Sequence, residues 1–465
     1  MRHFNKERIK SIAIFGLLLT SLIQVGILWG YQSQGTPTSF FRGILGWGNK
    51  EITSDEARED LFIPYRLIIS DGSGSHWLVN RQDRIFKEII GEAGGYLKSI
   101  AEGRLERLKT SEEWGNISTK QGFILEFKAA IEPDLLKWFT GASKVSGDAP
   151  SISKILIKPD IVNKGLCEVY ILSPGGELSK YTVNNVERPQ SMEDMLSVYE
   201  NNENAYRNYV SMRDNNLDKF KPFSPDILYV VKPPMLWPYY QLQAEAPVRA
   251  ARDNELADIM LGSERDRFIK TDYSGFLQFS NRENMYKVYD DGYLSYKYLA
   301  DASSSEKGAV GDALKTAYVF ISKLNRLTNM KADIYLSGID ASHQGYYTFR
   351  FDYKLNGMPV FINLQSKGKD DGPVENAITI DASAKRVLQC GWMLRDFAQG
   401  QKSLYNDRFD DVMANVKYGD MAIVDIATGY YLNSAEEGIF DPSLIIQEKG
   451  KQAVSAYVLP AGKGE

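Results

Sequence analysis

The chain has 465 residues, of which 43% are hydrophobic and 25% charged, and its formal net charge at pH 7 is −5. At about 150 residues per domain, this length is enough for two or three domains with hydrophobic cores. The mildly acidic balance argues against nucleic acid as the ligand and against flat adsorption on an anionic membrane.

The first predicted element is a membrane-spanning helix over residues 11–31. This run is apolar, no charged residue lies between Lys10 and Arg42, and about 20 apolar residues suffice to cross a bilayer as a helix. The ten residues before it are basic, so the positive-inside rule places them in the cytoplasm and the bulk of the chain outside. A cleaved signal peptide is the alternative, but its apolar core is usually shorter and ends in small residues, whereas this run ends with Trp29 and Tyr31. We therefore expect a single-pass protein of the cell membrane.

Two faces of this helix carry residues suited to helix–helix contact. Gly16, Thr20 and Gln24 recur every four residues and share one face, while Gly26 and Gly30 form a G-x-x-x-G pair on a neighbouring face. Small residues let helices approach closely in lipid, and the Gln24 amide is costly there without a partner. These five residues are predicted partner-binding positions, and ordinary anchor composition is the alternative.

A juxtamembrane linker is predicted over residues 32–60, followed by a first α+β domain over residues 61–187. In the linker, FFRGILGW either dips into the lipid interface or packs on the first domain. YRLIIS and HWLVN indicate strands around the turn DGSGS, and RIFKEIIGEAGGYLKSI has helical periodicity. Further strands are predicted at GFILEFKAAI, ISKILI, CEVYIL and ELSKYTV, with a short helix at EPDLLKWF, where proline occupies the first turn.

A central domain is predicted over residues 188–305. It holds a polar helical connector, the strand DILYVV, the helix RAARDNELADIMLG and the hairpin MYKVYDDGYLSYKYL, whose Asp-Gly pair suits a tight turn. In PPMLWPYY, prolines flank Trp237, Tyr239 and Tyr240, and these aromatic residues are candidates for partner binding because Trp and Tyr are enriched at interface hot spots. The alternative is that they fill the gap between the first two domains.

A C-terminal domain is predicted over residues 306–465. Its helix ALKTAYVFISKLNRLTN precedes the strand GYYTFRFDYKL, in which Phe349, Phe351 and Tyr353 alternate with charged residues and should face the core. The pair Asn356-Gly357 predicts a tight hairpin into MPVFINLQ. Strands are also predicted at DIYLSGI, NAITID, RVLQCGWMLRDF, MAIVDIATGYY and AVSAYVL, and a helix at SLYNDRFDDVMANV. Because strands outnumber helices and short turns join them, the expected fold class is α+β with mostly antiparallel sheets and packed helices.

No motif in the sequence points to catalysis or to a metal site. The three histidines are His3, His76 and His343, and the sequence contains no HExxH, CxxC, Walker A or G-x-G-x-x-G pattern. DGSGSHW lacks the glycine spacing of a nucleophile elbow. Two cysteines, Cys167 and Cys390, are too few for a disulfide framework and are expected to be buried thiols. We therefore expect no enzyme, cofactor or metal, although a glycosidase would need only two carboxylates.

The order of these motifs resembles the YycH family. The resemblance rests on the basic N-terminus with its spanning helix, then PYRLIIS with HWLV, DGYLSYKY, GYYTFRFDYKLNGMPV and VDIATGYY, and it covers nearly the whole chain. From about Leu314 onward, the chain also resembles the companion family YycI in its F-x-Y-x-x-NG-x-P hairpin. FFRGILGW after the helix departs from the family pattern, as does FDPSLII, where Ser443 follows Pro442.

The resemblance implies a membrane-anchored regulator with no catalytic residues. YycH proteins form a membrane complex with YycI and the sensor histidine kinase YycG (WalK) of Gram-positive bacteria. Contacts between the spanning helices matter to the control of the kinase, and this control reaches genes of cell-wall metabolism. A YycI-like protein and a kinase of this type are therefore the expected partners, and a homodimer is compatible with the same reading. The residues alone leave two other classes open, a cell-wall-binding or hydrolytic protein and a ligand-sensing module with a closed apolar pocket.

Overall fold

The chain divides into two units, Met1–Thr53 and Ser54–Glu465, and the fold concerns the second. The computed structural model describes residues 52–159, 166–184, 199, 209–213, 224, 228–230, 236–246, 269–300, 306–325, 332–366, 368, 372–406, 422–434, 438–449 and 453–459. The predicted spanning helix over residues 11–31 lies outside these ranges. Within them, no helix is both long and apolar enough to cross a bilayer.

Five helices and 23 strands lie in the described ranges. The helices are α1 (Ser54–Leu61), α2 (Arg84–Ala101), α3 (Trp114–Ile117), α4 (Pro133–Thr140) and α5 (Val310–Leu324). The strands are β1 (Arg66–Ser70), β2 (His76–Leu78), β3 (Gly122–Ile131), β4 (Ile152–Pro159), β5 (Leu166–Leu172), β6 (Leu178–Asn184), β7 (Tyr209–Ser211), β8 (Leu228–Val230), β9 (Leu236–Glu245), β10 (Ile269–Tyr273), β11 (Phe276–Ser280), β12 (Asn284–Tyr289), β13 (Tyr293–Tyr298), β14 (Asp333–Asp340), β15 (Tyr347–Leu355), β16 (Met358–Ile362), β17 (Ile378–Ala382), β18 (Val387–Met393), β19 (Asp396–Asn406), β20 (Ile423–Leu432), β21 (Gly438–Phe440), β22 (Ser443–Glu448) and β23 (Ala453–Val458).

The first sheet has eight strands in the order β6-β5-β4-β3-β1-β2-β7-β8. Its central strands are apolar on both faces because both faces are covered. Leu67 on β1 faces the same side as Cys167 on β5, where Tyr96 of α2 packs. Ile68 and Ile124 face the opposite side and join the central hydrophobic core.

The second sheet has twelve strands, in the order β10-β11-β12-β13-β18-β17-β15-β16-β20-β22-β23 with β14 attached to β15. Strand β15 is its branch point, since residues 347–351 pair with β17 and residues 353–355 pair with β16. The pair β16–β20 is parallel, and every other pair between described strands is antiparallel. Helix α5 packs on β15, β17 and β18.

A third, three-stranded sheet has the order β19-β9-β21 and closes the core from the side. The central core cluster therefore draws side chains from all three sheets. Its members are Ile68, Trp114, Ile117, Ile124, Leu156, Tyr170, Tyr209, Met212, Tyr239, Tyr405, Ile423, Ile426, Leu444, Ile446 and Leu459.

The predicted fold class is confirmed as mostly antiparallel sheets with packed helices, whereas the domain boundaries at residues 187 and 305 stay predictions. The hairpin at Asn356-Gly357 is confirmed, with φ of 50° and 78°, both in the left-handed region that such a turn requires. Phe349, Phe351 and Tyr353 are buried as their alternation predicts.

Several described segments differ from the sequence-based expectation. Residues 209–211, which belong to the predicted helical connector, form strand β7 and pair with β2 and β8. Residues 54–60, assigned to the linker, form helix α1 together with Leu61. The acidic first turn suits a helix N-terminus, and Ala57 and Leu61 are buried. Residues 403–406, expected to begin a helix, instead end strand β19, because pairing with β9 overrides their helical pattern. The segment LWPYY lies in β9, and strands β10 and β11 have no counterpart in the expectation.

Candidate functional site at the seam between the two sheets

A group of buried charged and aromatic side chains lies where the first sheet meets the second. The first sheet supplies residues at the start of β1 and along β3, and the second sheet supplies residues from β14, β15 and β20. We call the group the seam cluster, and its members are Tyr65, Arg66, Glu126, Lys128, Tyr335, Lys354 and Asp425.

Asp425 is the ionic centre of the seam cluster. Its Oδ1 lies 2.7 Å from Arg66 Nη1 and its Oδ2 lies 2.9 Å from Lys128 Nζ. Arg66 also donates to the carbonyl oxygen of Ile426 at 2.8 Å, and Lys128 donates to Gln447 Oε1 at 2.7 Å. Burial alone would raise the pKa of Asp425, but the charges of Arg66 and Lys128 outweigh it and hold that pKa well below its usual range. One carboxylate of the second sheet thus binds two cations of the first.

Tyr65 is the aromatic centre. Its ring centroid lies 4.7 Å from Arg66 Cζ, 4.2 Å from Lys128 Nζ and 5.6 Å from Lys354 Nζ. Its ring also packs against Tyr335 of β14, with centroids 5.6 Å apart. Cations are attracted to the face of an aromatic ring, so this single side chain attracts cations from both sheets.

The ammonium group of Lys354 is buried and forms no salt bridge with a carboxylate of the described residues. Its Nζ donates to the carbonyl oxygens of Pro64, at 3.4 Å, and of Tyr65. Burial, with repulsion by Arg66 as a smaller cause, lowers the pKa of Lys354 to about 7 against the opposing effect of Asp333. The lysine therefore titrates near neutral pH.

A small cavity lies beside Lys354, lined by Arg66, Arg81, Asp333 and Tyr335 among others. Its volume of about 30 Å³ gives room for one or two water molecules and none for an organic substrate. This part of the seam can therefore hold water beside Lys354.

A second set of contacts fastens helix α1 to the edge of the seam. Arg81 Nη2 lies 3.0 Å from Asp60 Oδ1 of α1, and Arg81 Nη1 lies 3.1 Å from Asp333 Oδ1 of β14. Tyr318 Oη of α5 donates to Asp60 Oδ2 at 2.5 Å. We call Asp60, Arg81, Tyr318 and Asp333 the helix clamp. It joins α1 to both halves of the fold, by which we mean the first sheet with its helices and the second sheet with α5.

The chemistry of the seam is that of a junction. Its charges are largely compensated by one another and by backbone carbonyls, so separating the sheets exposes uncompensated charges unless water enters. No group of three or more side chains suited to hold a metal ion occurs in the described part of the chain. The arrangement can therefore couple the position of one sheet to that of the other.

The five predicted positions in the spanning helix, Gly16, Thr20, Gln24, Gly26 and Gly30, lie outside the described residues, and their role stays a prediction.

The aromatic candidates of PPMLWPYY lie in strand β9. Tyr239 is 1% exposed and packs edge-on against Tyr405, with centroids 5.9 Å apart. Tyr240 is half-buried, and its carbonyl oxygen accepts a hydrogen bond from Tyr430 Oη at 2.6 Å. The backbone of Trp237 pairs with Tyr405 in the third sheet. Tyr239 is therefore part of the core, and partner binding by Trp237 and Tyr240 stays a prediction.

The two cysteines are buried and unpaired with each other, as expected. Burial raises the pKa of the Cys167 thiol to about 12, which leaves it unreactive near neutral pH.

Sequence reasoning did not single out the seam cluster. The available signal is a charged residue inside an otherwise apolar strand, as at Glu126 and Lys128 in GFILEFKAAI and at Asp425 in IVDIATG. Such residues need a buried partner. The pattern indicates that these charged residues are paired, but it does not identify the partner of each.

The comparisons with known proteins are few. No family model matches the chain, and no curated protein matches it. Among solved structures, YycH from Bacillus subtilis is similar, with a TM-score of 0.53 and 15% identity over 87% of this chain and 98% of that one. An uncharacterized protein from Eubacterium rectale ATCC 33656 matches with a TM-score of 0.31 and 11% identity over 53% of this chain and 92% of that one. The chain thus has a YycH-like fold, and the resemblance of its C-terminal part to YycI stays a prediction.

Proposed function

We propose that this protein is a membrane-anchored, non-enzymatic regulator of a sensor histidine kinase of the YycG (WalK) type. The observation that carries the proposal is the YycH-like fold, which extends over 87% of the chain. The basic N-terminus and the apolar run over residues 11–31 support it, because they predict the single-pass topology that such a regulator needs.

The geometry of the seam is in keeping with this function. Buried charges that bind one sheet to the other are a means of passing a displacement through the fold, and a regulator works by such displacements. A hydrolase would use its buried charges in another way, aimed at a cleft that admits the substrate.

The proposed partners are the kinase and a YycI-like protein, met in the membrane through Gly16, Thr20 and Gln24. Polar contacts between helices in lipid contribute about 0.6–2 kcal/mol each, so one substitution weakens the complex only a few-fold. The informative variant changes all three residues to leucine, which keeps the helix apolar enough to insert.

The test is co-purification of the kinase with the full chain from membranes, alongside a kinase-dependent reporter. We expect the triple leucine variant to lose kinase and to change the reporter. The matched control changes Ile14, Leu18 and Val25, on the opposite helix face, to alanine and should retain the kinase. Equal recovery of kinase with both variants would move the contact away from this helix face, and turnover of peptidoglycan by the purified protein would contradict a non-enzymatic role.

The membrane topology has its own test. Thr53 is exposed, and both native thiols are buried, so a Thr53→Cys variant offers one accessible cysteine among the described residues. We expect a membrane-impermeant thiol reagent to label it on intact cells. Labelling only after lysis would contradict the proposed topology.

A further inference from the structure

Helix α1 lies between the two halves of the fold. On the first-sheet side, Arg58 lies over the ring of Trp138 in α4, with Cζ 5.5 Å from the ring centroid. On the second-sheet side, α1 packs against α5 and β14, and the helix clamp joins Asp60 to both. Ala57 and Leu61 are buried between these neighbours. A displacement of α1 therefore acts on both halves at once.

The chain after α1 runs directly into the seam cluster. The ring of Phe62 packs against Phe127 of β3 and Phe139 of α4, with centroids 5.5 and 5.3 Å away. The carbonyl oxygens of Pro64 and Tyr65 then accept hydrogen bonds from Lys354. Only three residues separate α1 from Tyr65, so a short segment joins the helix to the aromatic centre of the seam.

The two halves also meet at a helix–helix contact beside α1. Gly311 in the first turn of α5 lies under the ring of Trp138 in α4, so close that a Cβ there would collide with the indole. This contact depends on a residue without a side chain. Helix α1 packs against both α4 and α5 beside this contact.

The helix clamp and the seam cluster differ in how strongly they hold. The side chains of Arg81, Asp60 and Asp333 are 33%, 47% and 32% exposed, so water screens their ion pairs and each contributes little. The side chains of Arg66 and Asp425 are 13% and 12% exposed, so water screens their pair less and breaking it costs more. The clamp is therefore the part that can open while the fold persists.

We propose that α1 is a latch that holds the seam closed. With the clamp closed, α1 holds β14 and α5 against the first sheet. When Asp60 is released from Arg81, water enters beside Lys354 and β14 loosens against Tyr65. The proposal rests on the proposed function, since it names the route by which a regulator anchored in the membrane changes its external part.

The test uses Arg81→Gln in the full chain in detergent, with hydrogen exchange followed by mass spectrometry. Arg81 bridges α1 to β14, so its loss removes both ion pairs of the clamp and leaves the Tyr318–Asp60 hydrogen bond and the buried pairs in place. We expect exchange to rise about five-fold in peptides covering residues 62–70 and 333–340 and to stay unchanged in those covering β10 to β13. Arg81→Lys keeps one charge and should give an intermediate rise.

The matched control is Arg84→Gln, three residues further along the chain. Arg84 is 95% exposed and pairs only with Glu88 in its own helix, at 3.2 Å among the described residues, so its loss should leave exchange at the seam unchanged. Equal exchange in Arg81→Gln and the wild type would overturn the latch, and so would a rise spread evenly over all peptides.

The regulatory part is read from the kinase. We expect Arg81→Gln to retain the kinase on co-purification and to change the kinase-dependent reporter. A loosened seam with unchanged reporter output would overturn the latch while leaving the proposed function in place. A wild-type protein that does not bind the kinase would overturn both, and the exchange data would still show whether the clamp holds the seam.

Discussion

At the scale of single residues, the seam depends most on Asp425. Asp425→Asn removes the negative charge that Arg66 and Lys128 share inside the protein. Removing one partner of a buried ion pair costs about 3–5 kcal/mol, because the remaining charge stays buried without compensation. We expect the free energy of unfolding at pH 7, measured with urea, to fall by about that much.

The control for this variant is Glu177→Gln. Glu177 pairs with Arg107 at 2.5 Å, but its side chain is 72% exposed, so the loss should stay below about 1 kcal/mol. The difference between wild type and Asp425→Asn should also shrink in acid. A depressed carboxyl pKa adds stability above the unfolded-state pKa, and that stability is lost as the pH falls through the folded-state pKa. Equal losses for the two variants would show that the seam pair is no stronger than a surface pair.

Lys354 gives the seam a second response to pH, with the same sign as that of Asp425 but in a higher pH range. Its pKa is about 7 in the folded protein, below its ordinary value, so between pH 7 and 10 the unfolded chain binds one more proton than the folded one. Stability therefore rises with pH in this window. We expect the free energy of unfolding of the wild type to gain about 2 kcal/mol more than that of Lys354→Met between pH 7.5 and 9, measured with urea.

The comparison with Lys354→Met isolates the lysine because the two proteins share all other titrating groups. The groups that face Lys354 are Tyr65 and Arg66 from the first sheet and Asp333 and Tyr335 from β14. Parallel stability curves for the two proteins would mean that the lysine stays charged throughout this range.

The sequence analysis did not predict this site, although a charged residue inside an apolar strand, as at Asp425, is a signal of a buried pair. The partner of Asp425 could not be predicted, because Lys128 lies 297 residues away and only the packing of the two sheets brings it within reach.

At the scale of elements, helix α2 carries three glycines that its packing does not require. A Cβ at Gly91, Gly94 or Gly95 would meet no atom within 4 Å outside the helix's own backbone. Glycine inside a helix is less stable than alanine by about 0.5–1 kcal/mol. We expect Gly91→Ala to raise the free energy of unfolding by that amount in a urea titration.

Gly357→Ala should have the opposite effect and serves as the contrast. Its φ of 78° is unfavourable for a side chain, and a Cβ there would collide with the Asn80 side chain. We expect a lower free energy of unfolding in the same titration. Stabilisation by both substitutions would contradict the assignment of the Asn356-Gly357 turn.

Elements were predictable where their pattern is local. The period of two in Phe349, Phe351 and Tyr353 and the Asn356-Gly357 pair fixed strand and turn together. Residues 403–406 show the contrary case, because their place in β19 depends on pairing with β9, more than 150 residues earlier in the chain. Helix α1 was missed because its polar sequence buries only Ala57 and Leu61.

At the scale of the whole molecule, the shared core and the seam should make the two sheets unfold together. Cys167 lies in the first sheet and Cys390 in the second, and both are buried. We expect a thiol reagent to modify both in one transition at the same urea concentration, because neither sheet retains its cover alone. Single Cys167→Ala and Cys390→Ala variants assign each signal, and two separate midpoints would contradict a common unfolding unit.

The α+β class and the mostly antiparallel sheets follow from the abundance of strands joined by short turns. The strand order does not follow from it. The parallel pair β16–β20 joins two strands whose nearest ends, Ile362 and Ile423, are 61 positions apart in the chain. Strand β7 joins the first sheet beside β2. Such pairings are decided by long-range packing, which no local pattern records.

The distance along the chain between Lys128 and Asp425 has a consequence for biosynthesis. A ribosome adds about 5–20 residues per second, so the 297 residues between them take on the order of 15–60 s. During that time Arg66 and Lys128 of the first sheet have no Asp425 carboxylate to pair with, and the apolar face of the sheet beside them is not yet packed against the second sheet. The nascent chain is then a substrate for chaperones and proteases, and arrival of β20 ends its vulnerability. A truncated product that ends before β20 would expose these unpaired cations and the apolar face, by which chaperones and proteases can recognise it.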